Sequence, residues 1–282
     1  MHTESIIETL QYVKSFSGLR ILIKLGGSVL DDQQLIKDLC EDFSLLRAAG
    51  ISLVVVHGGS RSIEQQLKLN NIQSTFKDGL RVTSLAMMDI IEMVLCGDVN
   101  RNLVRHLNAS GVSAIGLSGS DNWMLRCERI DPALGEVGKI TQVDTTLVDR
   151  CLVDQEQRFL GHIPIIAPIG VDANGYALNV NADWAATVIA QALNIDKLIY
   201  LTDQTGIYDD NKECISVIDK KGLQNLIDTE VVKDGMLTKV RTILDALNCG
   251  IRHVHIINAK KPHSLIEELF TEKGIGTLCL NN

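Results

Sequence analysis

The sequence predicts an α/β fold, a three-layer αβα sandwich in which helices cover both faces of a mainly parallel, open β-sheet. Apolar runs of strand length alternate along the chain with segments of helical periodicity. The runs are apolar at successive positions instead of alternate ones, which indicates strands buried on both sides. With 282 residues, of which 45% are hydrophobic, the chain is long enough for one large domain or two smaller lobes.

The first half opens with an amphipathic helix predicted over residues 5–16, for which Ser5 is a plausible N-cap. This helix precedes the first strand, so it either folds back on its own domain or packs on another subunit. Next we predict strands at 21–25, 52–57 and 113–117, alternating with helices at 32–48, 60–69 and 84–108. Short antiparallel strands are expected at Met124–Arg129 and Glu136–Gln142, before a parallel strand at Ile163–Pro168.

The second half restarts the strand–helix pattern, which suggests a division of the chain near residue 180. We predict helices at Asp183–Leu193, 236–249 and 263–272, with strands at Lys197–Leu201, His253–Ile257 and 276–280. A looser stretch is expected over 203–233. These alternations again favour a parallel sheet with crossover helices.

The composition restricts the class of protein. A net charge of −8 argues against nucleic acid as the main partner. No apolar run approaches the length of a membrane span, and the N-terminus does not resemble a secretion signal. The seven cysteines are scattered without the spacing of a metal site, as is typical of reduced thiols. We therefore expect a cytoplasmic protein.

Two segments, Ile21–Ser28 and Leu53–Ser60, carry the strongest indication of function. Each is an apolar strand that runs into a glycine pair and a serine. Glycine lets the backbone approach a ligand closely, so that N–H groups can point at an anion. Either segment alone is more often an ordinary tight turn. Together, on one edge of one βαβ unit and with Lys24 before the first glycine pair, they indicate phosphate binding.

Three further segments place polar groups near predicted strand ends. Asn179, Asn181 and Asp183 lie at two-residue spacing in a strand-to-helix turn. They could cap the helix, or aim an amide at a ligand and a carboxylate at two lysines. Lys239, in the predicted first turn of a helix, opposes the helix dipole unless it is used. Arg81 could bind a carboxylate with two hydrogen bonds or form a surface salt bridge.

The polar turn after the strand Lys197–Leu201 is either an ordinary loop or a place for a nucleotide base at the carboxyl end of the sheet. The chain has no Walker loop and no G-x-G-x-x-G motif after a strand. It also lacks the H-E-x-x-H and G-x-S-x-G motifs. If the protein uses ATP, we expect it to do so without the P-loop or the protein-kinase fold.

Five motifs, in this order, resemble those of the amino-acid kinase family. They are KLGG from Lys24, HGG from His57, GLRVT from Gly79, NVNADWAA from Asn179 and GMLTK from Gly235. The resemblance covers nearly the whole chain and is strongest to the branch that acts in arginine biosynthesis. It implies about eight strands, an N-terminal oligomerisation helix at 1–18, an amino-acid-binding lobe at 19–178 and a nucleotide-binding lobe at 179–282.

The same resemblance implies ATP-dependent phosphorylation of the γ-carboxylate of N-acetyl-L-glutamate, with Mg²⁺ arriving on ATP and no metal site in the protein. Lys24 and Lys239 would stabilise charge on the transferring phosphoryl group, and Asp183 would hold both lysines. Backbone N–H donors would come from the two glycine pairs. The residues implied for the substrate are Gly58, Gly59, Arg81 and Asn179; those implied for the nucleotide are Gly26, Gly27, Thr202, Asp203, Gly206, Tyr208, Gly235 and Met236.

Family members with such an N-terminal helix resemble an arginine-inhibited, hexameric branch, in which these helices interlace dimers. The matching positions for arginine are Tyr12, His255, Glu268 and Gly274. We therefore expect a homo-oligomer, either a dimer or a hexamer, with arginine as a possible feedback inhibitor. We expect no nucleic-acid or membrane partner.

The sequence departs from the family pattern at three places: Asn-Ala-Lys at 258–260 replaces Asp-Gly-Arg, Ser60 replaces a third glycine, and Trp184 replaces a smaller residue. Two other functions stay open at this point. One is a sister kinase that acts on another carboxylic acid, against which the GLRVT segment speaks. The other is a catalytically silent arginine sensor, against which the intact set of charged residues speaks.

Overall fold

An eight-stranded sheet forms the centre of the structure, a computed structural model that describes residues 10–30, 32–153, 161–271 and 274–281. The strands of these residues, in chain order, are β1 (Arg20–Leu25), β2 (Ser52–His57), β3 (Phe76–Lys77), β4 (Leu80–Arg81), β5 (Ala114–Ser118), β6 (Leu125–Arg129), β7 (Gly138–Val143), β8 (Ile163–Ala167), β9 (Ile169–Val171), β10 (Ala177–Asn179), β11 (Lys197–Thr202), β12 (Val217–Asp219), β13 (His253–Asn258) and β14 (Thr277–Leu280). The order across the large sheet is β12-β14-β13-β11-β1-β2-β8-β5. Its neighbouring strands are parallel except for β13 and β14.

Helices cover both faces of this sheet, which confirms the predicted αβα architecture. They are α1 (Gly27–Leu30), α2 (Gln33–Ala48), α3 (Ser60–Leu69), α4 (Leu85–Glu92), α5 (Asn100–Ala109), α6 (Thr146–Leu152), α7 (Ala182–Ala192), α8 (Lys220–Asp228), α9 (Asp234–Asn248) and α10 (Ser264–Phe270), with a π-helical segment at Met93–Val99. Ile21 and Ile23 of β1 belong to a core with α2, α5 and α10, whereas Leu22 belongs to a second core with α7 and α9. Alternate strand side chains thus enter opposite apolar layers.

Two smaller sheets lie outside the central one. β10, β9, β6 and β7 form a four-stranded sheet, and β3 pairs with β4 in a short hairpin. The predicted antiparallel strands near 124–129 and 136–142 correspond to β6 and β7, which pair antiparallel. The hairpin ends at Arg81, so it carries this arginine toward the polar edge described below.

The register of the central strands brings three loops together. Leu25 at the end of β1 is level with His57 at the end of β2 and with Leu201 near the end of β11. Since these strands are parallel, the two glycine pairs and Thr202 leave the sheet at the same edge. This is the edge at which open α/β sheets bind ligands.

Several sequence predictions differ from the structure. The predicted helix 5–16 is helical at residues 10–14, and residues 1–9 lie outside the described part. The single helix predicted over 84–108 is interrupted by the π-helical segment. The stretch expected to be loose over 203–233 contains β12 and α8, and α6 was not predicted.

The helix α8 escaped prediction because its sequence begins with two lysines and a glycine, which weakens its helical pattern. The structure supplies what the pattern lacks. The side chain of Asp219 caps the helix by accepting a hydrogen bond from the Gly222 N–H, and Leu223 and Leu226 are buried. Within the described ranges, no helix combines the length and apolar character that crossing a membrane demands.

Candidate active site

A carboxylate shared by two lysines lies at the polar edge of the sheet. The Nζ of Lys24 is 2.7 Å from Oδ1 of Asp183, and the Nζ of Lys239 is 3.4 Å from Oδ2. The three side chains are 12, 20 and 13% exposed for Lys24, Asp183 and Lys239. Two positive charges are thus fixed next to each other, with one negative charge between them.

The lysines keep this carboxylate ionised. Burial by itself would raise the pKa of Asp183, but the charges and hydrogen bonds of Lys24 and Lys239 outweigh burial and lower the pKa to about 2. At neutral pH the cluster therefore has a net charge of +1. That surplus positive charge is available to an anionic ligand.

Local structure explains how Asp183 comes to face the lysines. Asn181, and not Asp183, is the N-cap of α7, because its side-chain oxygen accepts hydrogen bonds from the N–H groups of Asp183 and Trp184. The two functions that the sequence left open are therefore divided between two residues. Asn181 satisfies the helix end, and the carboxylate of Asp183 is left for the lysines.

The two lysines reach Asp183 from different elements. Lys24 lies on β1, directly level with Tyr200 of β11. Helix α9 begins at Asp234, two residues before the predicted start, so Lys239 lies in its second turn, where the helix dipole acts less on a charge. The Lys239 Nζ also lies 5.7 Å from the centre of the Tyr200 ring, a cation–π contact.

The two glycine loops touch each other beside this cluster. A Cβ atom placed on Gly27 would lie 3.5 Å from the Ser60 nitrogen, and one on Gly58 would lie 3.6 Å from the Leu25 oxygen. Gly59 is the N-cap of α3 without a side-chain cap. Gly59 is a buried residue, and within the described residues its N–H donates no hydrogen bond. Free N–H groups at the start of a helix can bind an anion.

A pair of buried polar side chains stands behind the second glycine loop. The Nδ1 of His57 is 2.9 Å from the Gly58 oxygen, and its Nε2 is 3.1 Å from Nδ2 of Asn100. Burial lowers the pKa of His57 to about 4, so its imidazole is neutral at physiological pH. The sequence analysis did not predict a function for either side chain.

Arg81 lies in the site but is already paired. Its guanidinium contacts the carboxylate of Glu64 at 2.8 Å and the hydroxyl of Ser60 at 3.1 Å, and it also donates to Ser74. The guanidinium carbon lies 4.7 Å from the centre of the Phe76 ring. The sequence left open a surface salt bridge for Arg81. A salt bridge is present, but the prediction that it lies at the surface is wrong, because Arg81 is only 7% exposed.

The residues that the family resemblance implies for the acceptor substrate all line one cavity of about 200 Å³. Asn179 is held there by Thr83, whose hydroxyl accepts a hydrogen bond from Nδ2 at 3.1 Å and donates one to the Arg81 carbonyl at 2.8 Å. The sequence did not single out the Thr83 side chain. The predicted site residues that line this cavity are Lys24, Gly27, Gly58, Gly59, Arg81, Asn179 and Asp183.

A neighbouring depression contains other predicted residues. It is lined by Gly26, Gly27, Ser60, Arg61, Thr202 and Asp203, so that it shares Gly27 and Ser60 with the first cavity. The other residues implied for the nucleotide line neither the cavity nor this depression. Gly206 is packed against Thr277, Tyr208 forms a bridge with Cys214, and Gly235 and Met236 belong to the first turn of α9.

Three of the four residues implied for arginine lie together, away from these cavities. The Nδ1 of His255 is 2.7 Å from Oε1 of Glu268, and a Cβ atom on Gly274 would lie 2.7 Å from Oε2. Tyr12 contacts Phe16, which in turn packs on Phe270 at the end of α10. These ring contacts link Tyr12, through Phe16, to the helix that carries Glu268.

The comparisons with known proteins agree with this geometry. Residues 19–258 match the amino acid kinase family. The chain is 39% identical over 278 residues to acetylglutamate kinase of Kosmotoga olearia, covering 98% of this chain and 96% of that protein. It is 40% identical over 278 residues to acetylglutamate kinase of Clostridioides difficile, covering 97% and 95%.

A solved structure supports the fold. N-acetylglutamate synthase from Neisseria gonorrhoeae, complexed with coenzyme A and N-acetyl-glutamate, superposes with a TM-score of 0.87. The sequence identity is 24%, and the match covers 100% of this chain and 64% of that one. The chain thus spans slightly less than two thirds of that protein, and the likeness shows the fold alone.

Proposed function

This chain belongs to the amino acid kinase family, and we propose that it transfers the γ-phosphoryl group of ATP to the γ-carboxylate of N-acetyl-L-glutamate. The products are an acyl phosphate and ADP, in a step of arginine biosynthesis. Relatives named acetylglutamate kinase, aligned over nearly the full chain at 39 and 40% identity, support the substrate. The observation that carries the proposal is Asp183 held between Lys24 and Lys239 beside two glycine loops.

The reaction requires the protein to position the two substrates and to neutralise the negative charge on the phosphoryl group. An oxygen of the γ-carboxylate attacks the γ-phosphorus, while the bond from phosphorus to the β,γ-bridging oxygen breaks and its electrons stay with ADP. The attacking carboxylate is already ionised, so no general base is required. Lys24 and Lys239 neutralise charge on the transferring phosphoryl group, and Asp183 fixes both Nζ atoms in place.

We propose that Mg²⁺ arrives with the nucleotide and is not held by a cage of protein side chains. Magnesium binds readily through phosphate oxygens and waters without a protein cage. Bound to ATP, it would supply further neutralisation of the phosphates.

The acceptor substrate is assigned to the cavity lined by Arg81 and Asn179. Arg81 would bind the α-carboxylate, for which its buried guanidinium is oriented by Glu64 and Phe76. Asn179 would bind the acetylated amino group with the amide that Thr83 holds. The Gly59 N–H would face the phosphoryl group as the carboxylate receives it, whereas the Gly58 N–H already donates to the Leu25 oxygen.

The nucleotide is assigned to the depression next to that cavity, because the two share Gly27 and Ser60. Gly27 would offer its N–H to the phosphates, with Thr202 and Asp203 at the end of β11 beside it. The Gly26 N–H, expected from the sequence to be a further donor, instead donates to the Leu201 oxygen, so Gly26 would contact the phosphates only through its other atoms. Gly206, Tyr208, Gly235 and Met236 would lie toward the ribose and base. We propose an amino-acid-binding lobe at 19–178 and a nucleotide-binding lobe at 179–282, with Gly26 and Gly27 of the first lobe reaching the phosphates and Asn179 of the second reaching the acceptor.

Arginine is assigned to the pair of His255 and Glu268, as a feedback inhibitor. Burial favours the neutral acid, but hydrogen bonds from His255 and from the N–H groups of Ile275 and Gly276 lower the pKa of Glu268. A buried carboxylate is thus available to a guanidinium. The Nε2 of His255 is buried and has no hydrogen-bond partner among the described residues, and it could accept from the same ligand. We expect a dimer, or a hexamer interlaced by helices at 1–18.

The test is acyl-phosphate formation, trapped as a hydroxamate with hydroxylamine, from Mg-ATP and N-acetyl-L-glutamate. Glutamate, aspartate, carbamate and aminoadipate are each tested separately as alternative acceptors. We expect product with N-acetyl-L-glutamate, and a loss of at least 100-fold in kcat for Lys24→Ala and Lys239→Ala, as when a charge-stabilising group is removed from an active site. Lys37→Ala, on the exposed side of α2, is the control and should keep its activity.

The outcomes separate the candidate functions. Turnover of another acid in place of N-acetyl-L-glutamate would identify a sister kinase. Arginine binding without turnover of any acid would identify a silent sensor. Full activity of Lys24→Ala and Lys239→Ala would contradict the site assignment, whichever acid is used.

A further inference from the structure

We propose that His57 and Asn100 are positioning residues, which aim the amide N–H of Gly59 at the phosphoryl group in transfer. The inference deepens the proposed function and rests on it. Neither side chain lines the two cavities described above. They act on the site through the backbone of the second glycine loop.

The hydrogen bonds fix which ring nitrogen of His57 carries the proton. Nδ1 lies 2.9 Å from the Gly58 oxygen, and a carbonyl oxygen can only accept, so Nδ1 is the donor. Nε2 then accepts from Nδ2 of Asn100 at 3.1 Å. The same Nδ2 lies 2.8 Å from the Ile165 carbonyl oxygen, which requires an amino group at this position and thereby orients the amide.

The proton on Nδ1 orients the peptide that joins Gly58 to Gly59. The Gly58 N–H donates to the Leu25 oxygen at 2.9 Å, and the Gly58 oxygen accepts from His57. In a planar trans peptide the carbonyl and the following N–H point in opposite directions. Since the carbonyl faces the fully buried His57, the Gly59 N–H faces the cavity that Gly59 lines. No group within the described residues accepts from it.

The fold has features that place Asn100 behind His57. The π-helical segment Met93–Val99 directly precedes Asn100, and π turns of this kind are often found at functional sites. Asn100 is 1% exposed, and a Cβ atom on Gly116 would lie 2.1 Å from its Oδ1. Gly116 therefore leaves the space that Asn100 occupies. Leu95 of the same segment packs against Gly59, where a Cβ atom would lie 2.6 Å from the leucine.

Two substitutions at one position separate the positioning role from a packing role. In His57→Asn the amide nitrogen stands the same number of bonds from Cα as Nδ1, so a donor to the Gly58 oxygen is kept. In His57→Gln the amide lies at the position of Nε2, so that donor is lost. Both replace the ring by an amide, and both thermal unfolding midpoints should fall.

The expected difference lies in kcat. Deleting one donor from an oxyanion site lowers kcat about 10²–10³-fold, and a donor that is present but misdirected should cost less. We expect His57→Gln to lose about 10- to 100-fold in kcat, with each KM within about 3-fold of the parent. We expect His57→Asn to stay within about 5-fold. Asn100→Leu, which frees His57 to rotate, should behave like His57→Gln.

An equal kcat loss in His57→Asn and His57→Gln would overturn the proposal, as would unchanged kcat in a folded Asn100→Leu protein. A second readout does not depend on the acceptor acid: the affinity for MgADP with aluminium fluoride, a mimic of the transferring phosphoryl group, relative to MgADP alone. This ratio should fall in His57→Gln and hold in His57→Asn. A parent protein that turns over a different acid would refute the proposed substrate, and the fluoride ratio would still test the positioning role.

Discussion

At the scale of single residues, the site depends on one carboxylate whose two oxygens pair with two different lysines. Each oxygen of Asp183 faces a different lysine, Lys24 from the sheet and Lys239 from α9. The three side chains are largely buried, and a buried charge without a partner is strongly unfavourable. Asp183 thus keeps two positive charges close together in the absence of ligand. A phosphate group, which carries more negative charge than one carboxylate, can then bind to both lysines.

Replacing Asp183 by asparagine should therefore affect both activity and stability. Asp183→Asn keeps the shape of the side chain but leaves two neighbouring lysines without their counter-charge. We expect kcat to fall at least 100-fold and the free energy of unfolding to fall by about 3 kcal/mol, as when one partner of a buried ion pair is removed. Urea unfolding and the hydroxamate assay measure the two effects. Asp228→Asn, on the exposed side of α8, should change neither, and a fully active Asp183→Asn would refute the role of this carboxylate.

The buried His57 predicts a pH dependence of stability. Its pKa is about 4 in the folded protein, below the ordinary value of 6.5, so the unfolded chain binds more protons between these two pH values. Stability contributed by neutral His57 is present above pH 6.5 and is lost as the pH falls toward 4, by about 3 kcal/mol in total. We expect the difference in unfolding free energy between the parent and His57→Asn to shrink over this range in urea titrations. Parallel pH profiles of the two proteins would contradict the assignment.

At the scale of elements, the start of α7 shows what the sequence could and could not decide. The motif from Asn179 to Asp183 predicted either a helix cap, or an amide facing a ligand and a carboxylate facing two lysines. In the structure Asn181 is the cap and the carboxylate of Asp183 faces both lysines. Composition could not divide them, because asparagine and aspartate are both good N-caps. The geometry of the following turn makes Asn181 the cap.

The cap should support the site as well as the helix. Asn181→Ala removes both hydrogen bonds to the first turn of α7, and we expect a loss of about 1 kcal/mol in unfolding free energy. Because Asp183 lies in that turn, kcat should fall too. Asn181→Ser keeps a capping oxygen and should recover most of both quantities. A loss of stability without any change in kcat would separate the cap from the positioning of Asp183.

Local pattern was least informative where the residue types of a segment obscure the structure that it adopts. Helix α8 was missed since its glycine and lysines hide a helix that Asp219 caps and two leucines anchor. The π-helical segment was missed because its apolar spacing resembles that of an ordinary helix, although Leu95 of the segment lies against Gly59. Strands such as β1 and β2 were predicted within one residue, because their continuous apolar runs permit little else.

At the scale of the whole molecule, the central strands unite residues that are far apart in sequence. The adjacent strands β2, β1 and β11 bring the second glycine loop, Lys24 and Thr202 to one edge. The family motifs predicted these members from residue types alone. Contacts such as His57 with Asn100, 43 residues apart, and Arg81 with Glu64, 17 residues apart, could not be read from spacing. They depend on how helices pack on the sheet.

Regulation by arginine is a prediction at this same scale. The Glu268 carboxylate lies on α10, and its partner His255 lies on β13, beside the strand that ends at Thr202. We expect Glu268→Gln to weaken arginine inhibition at least 10-fold, since it removes the charge that would pair with a guanidinium. Activity without arginine should change little. Isothermal titration with arginine measures the effect directly, and unchanged arginine affinity would place the effector elsewhere.

The most direct test of the central claim follows the oxygen atoms. N-acetyl-L-glutamate labelled with ¹⁸O in its γ-carboxylate is incubated with the protein, Mg-ATP and hydroxylamine, and the released phosphate is examined by ³¹P nuclear magnetic resonance. If the carboxylate attacks the γ-phosphorus at the site of Lys24, Asp183 and Lys239, each released phosphate carries one ¹⁸O. Unlabelled phosphate would mean that water is the acceptor, and it would contradict the account.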